Sequence, residues 1–79
     1  MRNKIRCACC GFRTIEINSI TDICPVCFWQ KDDFQEEHDC DAGGPNGVSL
    51  RVAKENYIQF GASEREFLQY VRPPLKEEN

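Results

Sequence analysis

Cys7 and Cys10 are separated by two residues, Cys24 and Cys27 are separated by two more, and thirteen residues lie between the pairs. Two intervening residues let one tight turn aim both sulfurs at a single point, so two facing knuckles of this kind supply four thiolates to a tetrahedral metal shell. Gly11 suits the first knuckle, because the residue after the second cysteine often needs positive φ. Phe28 stands at the equivalent place in the second. Disulfides are the alternative use of the same residues, and they belong to oxidising compartments. Residues 1–7 hold no apolar run of the length a signal peptide or a transmembrane helix requires. A cytoplasmic location, no membrane association, reduced thiols and a bound metal are therefore expected.

Zinc is the expected ion, one Zn2+ in a closed tetrathiolate that needs no redox partner, and iron is the alternative for the same ligands. A closed four-cysteine shell leaves no open position for water or substrate, so the site should stabilise the fold and the chain is not expected to be an enzyme. Cys9 and Cys40 are left over, Cys9 as a spare thiol beside the first knuckle and Cys40 in an acidic stretch with His38. The acids Asp32, Asp33, Glu36, Glu37, Asp39 and Asp41 lack the glycine and glutamate positions of an EF-hand loop. They read as a solvated loop.

The elements that must position the knuckles follow from composition and periodicity. A chain of 79 residues with 41% hydrophobic and 29% charged side chains is one domain, 1–79, too apolar for disorder and too short for a large core. Loose alternation from Phe12 to Ile17, with Ile15 and Ile17 on one face and Thr14 and Glu16 on the other, predicts a strand. Asn18 and Ser19 supply turn residues for a return strand through Ile20 and Ile23, which would put the knuckles at the ends of a hairpin. Residues 1–30 are thus a two-knuckle ribbon, and 31–47 an acidic loop ending in Gly43-Gly44-Pro45-Asn46-Gly47. Residues 48–74 form a helical cap. Leu50, Ala53, Tyr57 and Phe60 make the apolar stripe of its first helix, with Ser49 as N-cap and Gly61 just beyond the C-terminus. Ser63 and Glu66 make a capping box for a second, with Phe67, Leu68 and Val71 as its apolar face, and Arg72-Pro73-Pro74 stops it. Residues 75–79 read as a frayed tail.

Charge separates the partner classes. The net charge is −3. The acidic excess lies in residues 31–47, which carry six acids and one lysine. Nucleic acid is disfavoured, since only Arg2, Lys4, Arg6 and Arg13 offer a basic set. The expected interface joins the ribbon's N-terminal strand and the aromatic pair Phe28 and Trp29 to the acids Asp32, Asp33, Glu36 and Glu37 for a basic protein partner. Packing of those rings under Leu50, Tyr57 and Phe67 is the competing expectation.

Taken together, Cys7-Ala8-Cys9-Cys10-Gly11-Phe12, Ile23-Cys24-Pro25-Val26-Cys27-Phe28-Trp29, Gly43-Gly44-Pro45-Asn46-Gly47, Ser49-Leu50, Asn56-Tyr57, Phe60-Gly61-Ala62 and Val71-Arg72-Pro73-Pro74 resemble the cysteine-rich CPCC family of small, largely bacterial proteins. Ala8 departs from the proline that gives the family its name, which loosens the first knuckle without removing a ligand. The likeness implies a metal-binding ribbon with a helical cap and no established activity. A more distant likeness, confined to the site, is to rubredoxin-like modules, in which two facing knuckles hold iron for electron transfer. The expected fold class is a small α+β metal-bound domain: a zinc-ribbon or rubredoxin-like β-hairpin with two cysteine knuckles, followed by two short helices.

Overall fold

The computed structural model describes residues 4–79. Strand β1, Lys4–Arg6, pairs antiparallel with β2, Arg13–Glu16. The first cysteine knuckle is itself the turn of this hairpin, a tighter arrangement than the expected one, in which the return strand ran through Ile20 and Ile23. Glu16 to Ser19 turns instead, closed by Ser19 N–H on Glu16 O at 3.1 Å. Ile17, Ile20 and Ile23 are 52, 71 and 42% exposed, so the apolar residues that suggested a second strand face solvent.

The hairpin register slips by one residue. Lys4 faces Glu16 and Ile5 faces Ile15, but Arg6 faces Arg13, which leaves Thr14 as the extra residue of a bulge. Strict alternation would put Thr14 and Ile15 on opposite faces. The bulge turns both inward, and they are 2 and 1% exposed.

The second knuckle closes in the same way without a full strand on either side. Ile23 and Gln30 form an isolated antiparallel bridge, and Lys31 N–H donates to Asp22 O at 2.8 Å. The core gathers behind the two knuckles: Ile15, Val26, Trp29, Leu50 and Ala53 pack with Cys7, Cys9, Cys24 and Cys27.

The acidic segment is structured, against the expectation of a loop from 31 to 47. Helix α1, Asp33–Glu37, is N-capped by Asp32, whose carboxylate accepts from Gln35 N at 3.0 Å. The wholly buried amide of Gln35 donates to Asp41 O and Val48 O at 3.0 and 3.1 Å, and accepts from both nitrogens of Asn46 at 3.2 and 3.0 Å. Asn46 in turn pairs with the backbone of Gln30 in both directions at 2.8 Å. Two side-chain amides thus do for this segment what a strand partner does elsewhere, satisfying backbone groups that burial would otherwise orphan.

Helix α2, Leu50–Phe60, has the expected boundaries: Ser49 Oγ accepts from Val52 N at 3.2 Å, and Gly61 closes the C-terminus at φ 95°. The second expected helix is a 3-10 helix, Arg65–Tyr70. Its capping box does not form. Glu64 takes the N-cap position and sends its carboxylate to Gly47 N at 3.1 Å, while Ser63 is buried, its N–H on Cys27 O at 2.7 Å. The residues expected to fray form a short 3-10 helix, Lys76–Glu78, packed against β2. Both guanidinium nitrogens of Arg72 donate to Glu78, at 3.0 and 2.9 Å, which pins the terminus. No helix among the described residues is long and apolar enough to cross a membrane.

Candidate metal centre

The two knuckles match bond for bond. Gly11 N–H donates to Cys7 O at 2.9 Å and Phe28 N–H to Cys24 O at 2.8 Å. Outside these, Cys7 N–H donates to Phe12 O at 2.8 Å and Cys24 N–H to Trp29 O at 3.0 Å. Each turn therefore presents its two cysteines on the inner side, and the Cys27 carbonyl, held by Ser63, ties the second turn to the end of α2.

Facing each other, the turns bring together Cys7, Cys10, Cys24 and Cys27, whose sulfurs all lie within 4.8 Å of one another. Across the knuckles, Cys7 Sγ stands 3.5 Å from Cys27 Sγ and Cys10 Sγ 3.7 Å from Cys24 Sγ. Sulfurs about 2.3 Å from a central ion occupy a tetrahedron with edges of roughly 3.8 Å, so both pairs stand at ligand spacing. All six cysteines are free thiols. The residues fit a metal ion in number, donor type and separation.

Electrostatics point to a cation as well. Hydrogen bonds from Cys10, Cys27 and Cys7, with a further one from Thr14, pull the Cys24 thiol far below its ordinary range despite burial. Cys7 is pushed up, first by its bond with Cys10, and Cys10 by its bond with Cys24. The bond with Cys10 pulls Cys27 down, but those with Cys24, Cys7 and Cys9 outweigh it and the thiol is pushed up. Four thiols crowded into one buried site disfavour more than one negative charge among themselves, and a divalent ion there would offset that repulsion and let the remaining thiols give up their protons.

Around the sulfurs, sequence reasoning missed Thr14. The bulge in β2 carries its hydroxyl to 2.9 Å from Cys24 Sγ, and Val26 N–H lies 3.4 Å from the same sulfur. A threonine in a strand flanked by two knuckles was the available signal, obscured because unbroken alternation turns it away from Ile15. Cys9 is 8% exposed and packs in the core beside the ligands.

The residues expected to form a partner surface divide. Trp29 is 0% exposed and its indole N–H donates to Glu36 at 3.3 Å, so it belongs to the core and not to an interface. Phe28 is half-buried against Phe67 and Tyr70, with ring centroids 4.6 and 5.4 Å away. Asp32 is occupied as the α1 cap, and Glu36 by Trp29 and by Lys31 Nζ at 3.0 Å. Burial lowers the Lys31 ammonium, but Glu36 and Asp33 outweigh it and hold the pKa above its ordinary value. Asp33 and Glu37 are exposed. His38 lies on the Phe34 ring at 4.5 Å, while the Cys40 thiol meets Asp39 Oδ1 at 3.7 Å. Of the basic set, Lys4 pairs with Glu16 at 2.9 Å and Arg6 donates to Gly11 O at 2.7 Å. Arg2 lies outside the described residues.

No curated protein matches the chain. The family model described as cysteine-rich CPCC matches residues 5–78, a span that takes in both knuckles, α2 and the docked tail, and the chain belongs to that family.

Proposed function

We propose that Cys7, Cys10, Cys24 and Cys27 hold one structural zinc ion, and that the loaded zinc-ribbon domain is a non-enzymatic, cytosolic module that binds a basic protein partner. The observation that carries the metal reading is the pair of sulfur separations across the knuckles, 3.5 and 3.7 Å, at the edge length a tetrahedral thiolate shell needs. When bound, such an ion contributes apparent free energy of roughly 10 to 16 kcal/mol in small zinc peptides, enough to hold a fold with so little core. The four cysteines fill a tetrahedral shell by themselves, leaving no coordination position for a substrate, which supports a structural role over hydrolysis. The reduced thiols a metal centre needs favour the cytosol.

Burial of Trp29 narrows the partner surface to what α1 and the following turn expose: the acids Asp33, Glu37, Asp39 and Asp41, and the half-exposed ring of Phe34 on the same short segment. Exposed acids with an apolar ring on one short segment suit a basic protein segment and repel phosphate.

Metal analysis of protein purified without added metal tests the centre. One equivalent of zinc, lost to a strong chelator together with amide dispersion in residues 5–28, is the expected result. A red ferric protein would replace zinc by iron and favour the electron-carrier reading, and dispersion that survives chelation would overturn metal-dependent folding. Affinity capture with Asp33, Glu37, Asp39 and Asp41 reversed to lysine tests the partner, and undiminished recovery would exclude the acidic face.

A further inference from the structure

We propose that Cys10 is the reactive thiolate of the centre, the ligand at which a soft electrophile attacks and opens the metal site, and that Thr14 directs the attack there by masking Cys24. The proposal rests on the metal reading above and adds to it a site of modification.

Two independent features single out Cys10. The first is access: Cys7, Cys24 and Cys27 are 2, 0 and 0% exposed, whereas Cys10 is only partly buried. The second is hydrogen bonding. The Thr14 hydroxyl lies 2.9 Å from Cys24 Sγ and 3.5 Å from Phe12 O, and a metal-bound thiolate at Cys24, having no proton to give, would accept from it; Val26 N–H donates to the same sulfur at 3.4 Å. Among the described residues, the partner of Cys10 Sγ is another sulfur, Cys24 Sγ at 3.7 Å. Hydrogen bonds to a thiolate draw charge from the sulfur lone pairs and reduce their nucleophilicity, and an accessible thiolate without them reacts first. Thr14 has no place in the ladder of β1 with β2, since the register passes over it. Bulges re-aim side chains beside functional sites, and this one sets a hydroxyl on one ligand and none on the other.

The chemistry of opening is that of a thiolate with an activated alkene. A lone pair of the Cys10 sulfur attacks the alkene carbon of a maleimide and a carbon–sulfur bond forms. The displaced π electrons pass into the carbonyl as an enolate, which takes a proton from water. The sulfur is then a neutral thioether, a poor ligand, and three thiolates remain.

Cobalt-loaded protein carrying Cys40→Ser, which removes the exposed thiol outside the centre, is treated with less than one equivalent of N-ethylmaleimide. Adducts are mapped by mass spectrometry while the thiolate-to-cobalt absorption is followed. The expected adduct is on Cys10 first, in step with loss of the band. First labelling at Cys7, Cys9, Cys24 or Cys27 overturns the assignment. In Thr14→Val the labelling rate of Cys24 rises on the order of tenfold, and Thr14→Ser, which keeps the hydroxyl, restores the parent pattern. An unchanged rate at Cys24 in Thr14→Val removes Thr14 from the device while leaving the Cys10 result to stand or fall alone. Absence of a cobalt band before any reagent is added defeats the metal reading itself, a failure distinct from mislabelling of a loaded centre.

Discussion

Phe28 holds a left-handed backbone, φ 70°, at the place where the other knuckle has Gly11 at φ 84°. An aromatic residue pays for that conformation with roughly 1 to 2 kcal/mol of steric strain that glycine avoids. The Phe28 ring offsets it by packing against both Phe67, at a tilt, and Tyr70, stacked, so one turn is closed by backbone freedom and the other by packing.

The contrast is testable at Gly11. A Cβ there would meet no atom within 4 Å, so Gly11→Ala changes conformational strain alone. The loaded protein should lose about 1 to 2 kcal/mol in denaturant unfolding, with metal stoichiometry unchanged. A loss near zero would mean that the turn is free to leave the left-handed region.

Removal of the Gln35 amide should loosen the acidic segment. Gln35→Leu keeps the volume but leaves Asp41 O, Val48 O and the Asn46 nitrogens without their partner, at a cost of about 2 to 3 kcal/mol. Hydrogen exchange at Asn46 N–H should accelerate before that of Cys7 or Cys24. Equal acceleration everywhere would show that the segment and the knuckles open as one unit.

Ser63 offers a substitution that should do no harm. Its hydroxyl is buried without a hydrogen-bond partner among the described residues. Ser63→Ala removes that orphan while keeping the backbone bond to Cys27, so stability should hold or rise by up to about 1 kcal/mol. Clear destabilisation would reveal a partner for the hydroxyl.

Acid should release the C-terminal turn. The Arg72 guanidinium, by hydrogen bonds first, holds the Glu78 carboxyl below the usual carboxylate range. A group depressed on folding contributes stability above its unfolded pKa, about 4.3, and loses it as pH falls through the lower folded value. Tail contacts followed by NMR should weaken over that acidic window, and Glu78→Gln should flatten the dependence. A variant with the same acid profile would assign it to other carboxylates.

How much of this was legible beforehand depended on the range of the interaction. The cysteine pairs and the caps of α2 are local: a two-residue turn sets the reach of its own sulfurs, and Ser49 and Gly61 act within one helical turn. Such features could be read in order along the chain, and so could the family likeness. The bulge at Thr14 could not, because a one-residue slip is decided by how Arg6 and Arg13 pair across the hairpin. Composition alone could not tell the buried amides of Gln35 and Asn46 from solvated polar residues, since their partners lie 6 to 16 positions away. Trp29 and Glu36 illustrate the same division. As residue types they suited an exposed aromatic and acidic surface, and only the folding of α1 against the second knuckle turned the indole inward and set the carboxylate on its N–H. Sequence thus determined which atoms can bind a metal, while tertiary packing decided which of the four sulfurs are buried, which is partly exposed and which acidic side chains face solvent.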